Sequence, residues 1–265
     1  MTRATCSLLL LTALFLGGCK ALPSREAVPH EAALAPARYG VLADVAGRIE
    51  AQLPSGQSAH WLLDANQLAL TSRLALVDDA AISLDIQYFI WQSDATGHLL
   101  SQRVLAAADR GVRVRILLDD FGVSGRGDDV LKLDAHPNVT VRVFNAWSLR
   151  GKRWGTAIEF MSRAYELNRR MHNKTFIADG RFAILGGRNI GDRYFGAYET
   201  FVQNDLDLMV AGPAAREVTA TFDEFWNSEH SVPIALFERD HRPTWPLEST
   251  RAELARTVET KAERL

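Results

Sequence analysis

The sequence predicts a layered α/β fold in which a mixed, mostly parallel sheet is flanked by helices. Three observations support this prediction. The composition is that of an ordinary globular protein, since 47% of the 265 residues are hydrophobic and 23% are charged. Apolar residues switch between helical and strand periodicity along the chain. No long linker or low-complexity stretch interrupts residues 39–235, so we expect one domain there.

The first elements form a recognisable supersecondary unit. Residues 64–79 place leucines at helical spacing, and residues 82–90 switch to alternation, which predicts a helix followed by a strand. Residues 97–110 are again helical, and Gly111 separates them from a strand predicted over residues 112–118. The order strand, helix, strand is a βαβ unit, whose crossover implies parallel pairing.

The later elements follow the same patterns. They are a short helix at residues 129–134 and four strands at residues 139–144, 171–178, 182–185 and 206–210. Residues 236–265 predict a linker and a helix that starts near Arg251, behind a capping box formed by Thr250 and Glu253. Its apolar stripe, which includes Leu254, Val258 and Leu265, reaches the last residue. We therefore expect this helix to pack on a partner or to lead into a second half.

The first residues predict export. Arg3 precedes an apolar run over residues 8–16, which is shorter than the roughly 20 residues that a spanning helix needs. We therefore interpret residues 1–18 as a signal peptide. The run ends in Leu-Gly-Gly-Cys19, which resembles a bacterial lipobox, so we expect Cys19 to be lipidated. An ordinary signal peptide with an incidental cysteine is the alternative.

Residues 19–38 are rich in alanine and proline and predict a flexible tether. The expected location is the cell envelope, anchored by lipid and facing the periplasm. Lys20 follows the cysteine where a retention-type aspartate could stand, so resemblance to enterobacterial lipoprotein sorting implies the outer membrane over the inner one.

Charge and cysteine content exclude several classes of function. The formal net charge of -2 gives no global basic field, so nucleic acid is a disfavoured partner. Between Arg150 and Arg193, however, ten basic residues stand against four acidic ones, which suits an anionic headgroup or a nucleic-acid backbone equally. The only cysteines are Cys6 and Cys19, so the remaining chain has no disulfide, cysteine-based zinc site or catalytic thiol.

A candidate site begins at residue 172. His172 and Lys174 share one face of the predicted strand, which places an imidazole beside a fixed positive charge. Asp179 and Gly180 are a strong hairpin signal that turns the chain back along residues 182–185.

The returning strand delivers three further groups. Gly186 and Gly187 allow backbone N–H groups to approach an anion closely, and Asn189 adds an amide donor. An imidazole, an ammonium, an amide and backbone donors together suit a phosphoryl group. We expect no cofactor and no metal ligands.

The whole string reads His-x-Lys-x4-Asp-x6-Gly-Gly-x-Asn from His172 to Asn189. An isolated His-x-Lys pair carries little information, but the full string resembles the signature of the phospholipase D superfamily in every defining position. Residues 83–91, 110–120 and 205–207 extend the resemblance to the amino-terminal half of bacterial cardiolipin-synthase-type members, over residues 61–232. The resemblance implies a phospholipase D-like layered sandwich.

The resemblance also implies roles for individual residues. His172 is the nucleophile that forms a phosphohistidine, Lys174 and Asn189 are phosphate ligands, and Asp179 mainly supports the local structure of the catalytic motif. A carboxylate after the motif orients the nucleophile in relatives. Asp205 is the first choice for it and Asp207 the second, and a solvated strand edge is the alternative for both.

The sequence departs from the family because it has one copy of the motif. Relatives supply the nucleophile and the acid for in-line displacement from two copies. No histidine other than His172 is followed two residues later by lysine. We favour a second half that is absent from this chain over a homodimer that shares the site about a twofold axis.

The expected function is a membrane-tethered phosphatidyltransferase or phosphodiesterase with a phospholipid substrate, and cardiolipin synthesis is the favoured reaction. One alternative is a periplasmic, homodimeric phosphodiesterase or endonuclease. Another is a catalytically silent half that binds anionic lipid.

Overall fold

The computed structural model describes residues 28–123, 128–147, 169–197, 203–237 and 246–261. Within them, eight strands form one sheet. The strands are β1 (Ala59–Leu63), β2 (Ser83–Tyr88), β3 (Arg113–Asp119), β4 (Val139–Phe144), β5 (Thr175–Ala178), β6 (Phe182–Gly186), β7 (Asp207–Ala211) and β8 (Ser231–Pro233).

Helices cover both faces of this sheet. They are α1 (Val41–Glu50), α2 (Asn66–Asp79), α3 (Ala95–Asp109), α4 (Asp120–Val123), α5 (Asp128–Leu131), α6 (Asp192–Phe195), α7 (Pro213–Trp226), α8 (Ile234–Phe237) and α9 (Leu247–Thr260). The larger hydrophobic core lies between one face of the sheet and α1, α2, α3 and α9, and it contains Ile86 and Val104. The smaller core lies between the other face and α7, and it contains Phe222 and Trp226. The layered α/β sandwich is confirmed.

The predicted βαβ unit is present, since α3 connects β2 to β3 and these two strands pair in parallel. The sheet is mixed, with the strand order β1-β7-β6-β5-β2-β3-β4-β8. Among the described strands, only the pairs β2–β3 and β3–β4 are parallel, and five pairs are antiparallel. A mostly parallel sheet is therefore the wrong prediction. The crossover pattern ends at β4, and β5 and β6 form a hairpin, whose strands are necessarily antiparallel.

The carboxyl-terminal helix begins earlier than its sequence predicts. α9 starts at Leu247, behind Pro246, so Thr250 is a buried residue inside the helix and not a capping residue. Leu254 is buried in the larger core, where α9 packs against α3. The part of the apolar stripe that includes Leu254 is thus covered by this same chain, and Leu265 lies outside the described residues.

The amino-terminal predictions fall partly outside the described residues, which include neither the signal segment 1–18 nor Cys19. The end of the predicted tether is described, and it is bound to the domain. The N–H of Glu31 donates to Oδ1 of Asn227 at 3.0 Å, and the Glu31 carboxylate accepts from Trp226 and Arg142. A flexible tether is therefore wrong for this part, because the segment supplies partners to polar groups of the domain.

No helix in the described part of the chain is long and apolar enough to cross a membrane.

Candidate active site

One edge of the sheet collects the segments that carry most of the predicted site residues. The parallel strands β2, β3 and β4 end there, and β5, which is antiparallel to β2, begins there. β6 runs back from the hairpin and ends at the same edge. His172 and Lys174 precede β5, which begins only at Thr175 and is shorter than predicted. Asn189 follows β6.

The imidazole of His172 and the ammonium of Lys174 lie side by side, as the spacing predicts. Nζ of Lys174 is 3.3 Å from Nδ1 of His172 and donates a hydrogen bond to the backbone oxygen of His172 at 2.6 Å. The His172 side chain is exposed, whereas Lys174 is buried. A surface imidazole therefore has a fixed cation beneath it.

The surroundings favour a neutral imidazole. Partial burial, and then the positive charge of Lys174, lower the pKa of His172 below its usual value. Burial also lowers the pKa of Lys174, and the negative charges of Asp205 and Asp207 oppose that shift. At neutral pH an uncharged imidazole keeps the lone pair that a nucleophile needs.

Asn189 is fixed by two loops that pair with each other. Its Oδ1 accepts a hydrogen bond from the N–H of Ile90 at 3.0 Å, which leaves the amide NH2 as the donor for a ligand. The pairing continues beyond this bond, since Ile190 donates to the backbone oxygen of Ile90 and accepts from the N–H of Gln92. The loop after β2 therefore holds the Asn189 amide at the edge of the sheet where His172 and Lys174 lie.

Two carboxylates close the far end of this loop pairing. Oδ2 of Asp94 accepts from the N–H of Asp192, and Oδ1 of Asp192 accepts from the N–H of Thr96, both at 2.7 Å. Oδ1 of Asp94 also caps α3 by accepting from the N–H of Gly97. Burial raises the pKa of Asp94 to about 6, against the lowering effect of these backbone hydrogen bonds. Sequence reasoning missed the pair, although an aspartate directly before a predicted helix is a capping signal.

The carboxylate of Asp179 contacts the backbone at the start of β2. Its carboxylate accepts hydrogen bonds from the backbone N–H groups of Ala81, Ile82 and Ser83. It adopts a φ of +57° at the start of the β5–β6 hairpin, followed by Gly180 at +61°. Asp179 is thus separated from the imidazole by the length of β5 and ties the hairpin to the start of β2.

Gly186 and Gly187 differ from the prediction. The N–H of Gly187 donates to the backbone oxygen of Leu206 at 3.0 Å, so it is not free to bind an anion. A Cβ at Gly186 would overlap Asp207, and a Cβ at Gly187 would overlap the carboxylate of Asp205. The absence of side chains lets these two aspartates approach β6.

The two aspartates have different surroundings. Asp207 is buried and binds Arg73 at 2.8 Å and Arg188 at 3.4 Å. Asp205 is half-buried and acts on Lys174 through its charge. Among the described residues, neither aspartate forms a hydrogen bond with His172. The orienting role predicted for Asp205, or for Asp207 as second choice, is therefore not supported by a contact.

Arg188 is a structural residue that sequence reasoning missed. It occupies the unspecified position of the motif and is buried. Its guanidinium donates to the backbone oxygens of Leu63 and Asp64 and to the side chain of Asn66. Arg188 therefore ties the segment that carries Asn189 to the start of α2. Because its partners are distant in sequence, no local pattern points to it.

Asp119, at the end of β3, was also missed. Its buried carboxylate accepts hydrogen bonds from the backbone N–H groups of Phe121 and Met171 and from the guanidinium of Arg170. Burial raises the pKa of Asp119 to about 6, although the charge of Arg170 opposes that shift. The sequence does contain a signal for Asp119, because Asp119 and Asp120 follow a predicted buried strand, and a buried charge needs partners.

Comparisons with known proteins identify the family of this chain. Residues 74–226 match the family model described as "Cardiolipin synthase, PLD-like domain". Cardiolipin synthase C of Escherichia coli (strain K12) is 44% identical over 179 residues, which cover 68% of this chain and 37% of that protein. An uncharacterized protein of Helicobacter pylori (strain J99) is 33% identical over 239 residues, which cover 89% of this chain and 46% of that protein. The chain spans less than half the length of these curated relatives.

A solved structure shares the fold. The phosphatidylserine synthase of Haemophilus influenzae Rd KW20 superposes with a TM-score of 0.50 at 14% identity, over 84% of this chain and 48% of that chain. The family model covers more than half of the chain, including His172, Lys174, Asp179 and Asn189. The chain therefore belongs to the cardiolipin-synthase PLD-like domain family, within the phospholipase D superfamily of phosphodiesterases and phosphatidyltransferases.

Proposed function

We propose that this chain carries the nucleophilic half of a membrane-tethered phosphatidyltransferase or phosphodiesterase whose substrate is a phospholipid. Cardiolipin synthesis is the favoured reaction. The observation that carries the proposal is the exposed imidazole of His172 above the buried ammonium of Lys174. The 44% identity to Cardiolipin synthase C supports a phospholipid as the substrate.

The reaction proceeds in two displacements. The neutral imidazole of His172 attacks the phosphorus of the lipid, a P–N bond forms, and the P–O bond to the leaving alcohol breaks. The Lys174 ammonium and the Asn189 amide donate hydrogen bonds to the non-bridging oxygens and stabilise the charge of the transition state. A hydroxyl of a glycerol-bearing lipid, or water, then attacks phosphorus. A P–O bond forms, the P–N bond breaks and releases the imidazole, and the hydroxyl proton passes to the group that protonated the leaving alcohol.

The leaving alcohol needs a proton from an acid on the opposite side of phosphorus. We propose that a second motif-bearing half supplies it, since no histidine other than His172 in this chain is followed two residues later by lysine. The chain spans 37% of Cardiolipin synthase C, which favours this arrangement over a homodimer. A homodimer would instead suit the alternative of a periplasmic phosphodiesterase or endonuclease.

Trapping the covalent intermediate tests the proposal. The full chain is complemented with a second motif-bearing half and incubated in EDTA with vesicles of phosphatidylglycerol labelled at phosphorus, and the reaction is quenched at alkaline pH. We expect acid-labile label on the protein, lost in His172→Ala and kept in His60→Ala, which changes an exposed histidine of β1.

Three results contradict the proposal. Cleavage of DNA without lipid turnover supports the endonuclease. Vesicle binding without label in any variant indicates the silent half that only binds anionic lipid. Activity that EDTA abolishes and a divalent metal restores argues against nucleophilic catalysis by His172 alone.

The tether has a separate test. We propose a lipid anchor on Cys19 that holds the domain on the periplasmic side of the envelope, with the outer membrane favoured; the support is the sequence from Leu16 to Cys19. Cys19→Ser should leave the protein uncleaved or soluble, whereas Cys6→Ser should keep cleavage and detergent partitioning. Wild-type protein free in the periplasmic fraction would reduce the segment to an ordinary signal peptide.

A further inference from the structure

An aromatic strip leads from the nucleophile to the surface. The ring centroid of Phe89 lies 4.8 Å from that of His172, and Nζ of Lys174 lies 5.8 Å from the same ring. Phe89 also stacks on Phe121, at a centroid distance of 6.1 Å. Phe89 therefore joins the phosphate-binding groups to Phe121, which is 55% exposed.

The exposed ring of Phe121 is held in place by its backbone. The N–H of Phe121 donates to Oδ1 of Asp119 at 2.9 Å, and the following residue, Gly122, packs so closely that a Cβ there would overlap the backbone oxygen of Phe89. The backbone that carries the ring is therefore fixed, and the ring itself packs against Phe89. A large apolar side chain that is fixed and exposed beside polar catalytic groups favours a binding role.

A fixed positive charge flanks the strip. The guanidinium of Arg170 lies 5.5 Å from the ring centroid of Phe121 and is held by the buried carboxylate of Asp119 at 3.1 Å. An apolar ring beside a cation suits a ligand that combines an apolar body with a negative group. A phosphodiester linked to a diacylglyceryl group is such a ligand.

We propose that Phe121, backed by Phe89, is a subsite for the diacylglyceryl portion of the phospholipid whose phosphate lies at His172. The inference rests on the proposed function, which selects a glyceryl ester over a nucleobase. The contact begins at the nucleophile itself, because Phe89 touches both His172 and Phe121. Burial of the ring by lipid contributes to binding, and to the orientation of the phosphorus toward the imidazole.

Binding of small ligands separates this subsite from the phosphate site. The full chain is titrated with dihexanoyl-phosphatidylglycerol below its critical micelle concentration and with glycerophosphoglycerol, which has the same diester and no acyl chains. Phe121→Ala should weaken binding of the lipid about five- to tenfold, as expected for loss of a partly buried aromatic contact. Binding of glycerophosphoglycerol should stay unchanged.

Two variants control this experiment. Tyr39→Ala removes an exposed aromatic ring next to Gly40, which lies close to Ala81 ahead of β2, at the other end of this strand from Phe89, and it should leave both affinities unchanged. Phe121→Leu should keep most of the lipid affinity, because apolar area is what the acyl ester needs. A nucleobase would require the aromatic face, so Phe121→Leu would weaken binding of a short oligonucleotide as strongly as Phe121→Ala does.

The outcomes distinguish the subsite from the function. Equal weakening of both glycerol ligands in Phe121→Ala overturns the subsite and leaves the proposed phosphatidyl transfer intact. A different result would overturn the subsite and the lipid function together. In that result the wild type binds the oligonucleotide, both Phe121 variants bind it more weakly, and the wild type has equal affinity for the two glycerol ligands.

Discussion

The carboxylate of Asp119 binds the backbone of Met171, the residue directly before His172, with Oδ2 accepting the N–H at 2.9 Å. Its other oxygen accepts from the N–H of Phe121 and from Arg170. One buried side chain therefore fixes both the entry to the nucleophile and the exposed aromatic ring.

Asp119→Asn should weaken folding and catalysis together. The amide replaces one acceptor oxygen with a donor, so at least one backbone N–H loses its partner, and the free energy of unfolding should fall by about 1–3 kcal/mol. We expect kcat to fall about tenfold, because misplacement of a nucleophile has a steep cost. Urea unfolding and initial rates give the two values.

The matched control is Asp78→Asn, which removes an exposed ion pair with Arg103. It should change the free energy of unfolding by less than about 1 kcal/mol. Equal stability of Asp119→Asn and wild type would show that the Asp119 contacts do not hold this edge.

Lys174→Gln should raise the pKa of His172. Burial and the like charge of Lys174 both lower that pKa, and the substitution removes the second cause. The acidic limb of the pH profile of kcat/KM should therefore move to higher pH, while kcat itself should fall about 10²- to 10³-fold through loss of a phosphate ligand. An NMR titration of the His172 ring measures the pKa directly.

Lys132→Gln is the control for this titration, since Lys132 pairs with Asp129 and Glu253 and not with the site. The His172 pKa should not move in that variant. An unchanged or lower pKa in Lys174→Gln would contradict the electrostatic coupling.

Asp179→Ala should destabilise the protein far more than Asp179→Asn. Alanine leaves the N–H groups of Ala81, Ile82 and Ser83 without their acceptor and disfavours the φ of +57°, which together should cost on the order of 3 kcal/mol. Asparagine tolerates that φ and keeps one acceptor oxygen.

Activity in both Asp179 variants should follow the folded fraction, as measured by circular dichroism in parallel with the assay. A fully folded Asp179→Asn with a large loss of kcat would give this carboxylate a chemical role.

Asp94→Asn should flatten part of the pH dependence of stability. The folded-state pKa of Asp94, about 6, is above its reference value of 3.8. The contribution of Asp94 is therefore complete below the lower value and is lost as the pH rises through the higher one. The free energy of unfolding of wild type minus that of the variant should decrease between about pH 4 and about pH 7.

Denaturant titrations of wild type and variant across this pH range measure the difference. A difference that increases with pH would contradict burial as the dominant influence on Asp94.

Local patterns predict local structure well in this protein. Alternation and helical spacing locate β2, α3 and β3, and the motif spacing places His172 beside Lys174, since each depends on neighbours within a few residues. The position of Thr250 shows the limit, because a capping box is also an ordinary helical sequence, and tertiary packing lets α9 begin after Pro246.

The partners of buried charges are not visible in the sequence. Asp205 and Asp207 stand two residues apart and look equivalent, yet only Asp207 meets Arg73, which is 134 positions away. Gly187 looks like an anion-binding glycine, but its N–H belongs to a contact with Leu206 that depends on the course of the chain between β6 and β7. Long-range contacts of this kind decide roles that spacing alone leaves open.

The hydrogen bonds from Trp226 and Arg142 to the Glu31 carboxylate limit how far the domain can move from a membrane anchor. If Cys19 holds the acyl chains, the twelve steps of chain from Cys19 to Glu31 span at most about 42 Å when fully extended. Substrates farther from the membrane than this distance would then be out of reach of the domain. The enzyme would act only on lipids of the leaflet that holds its anchor.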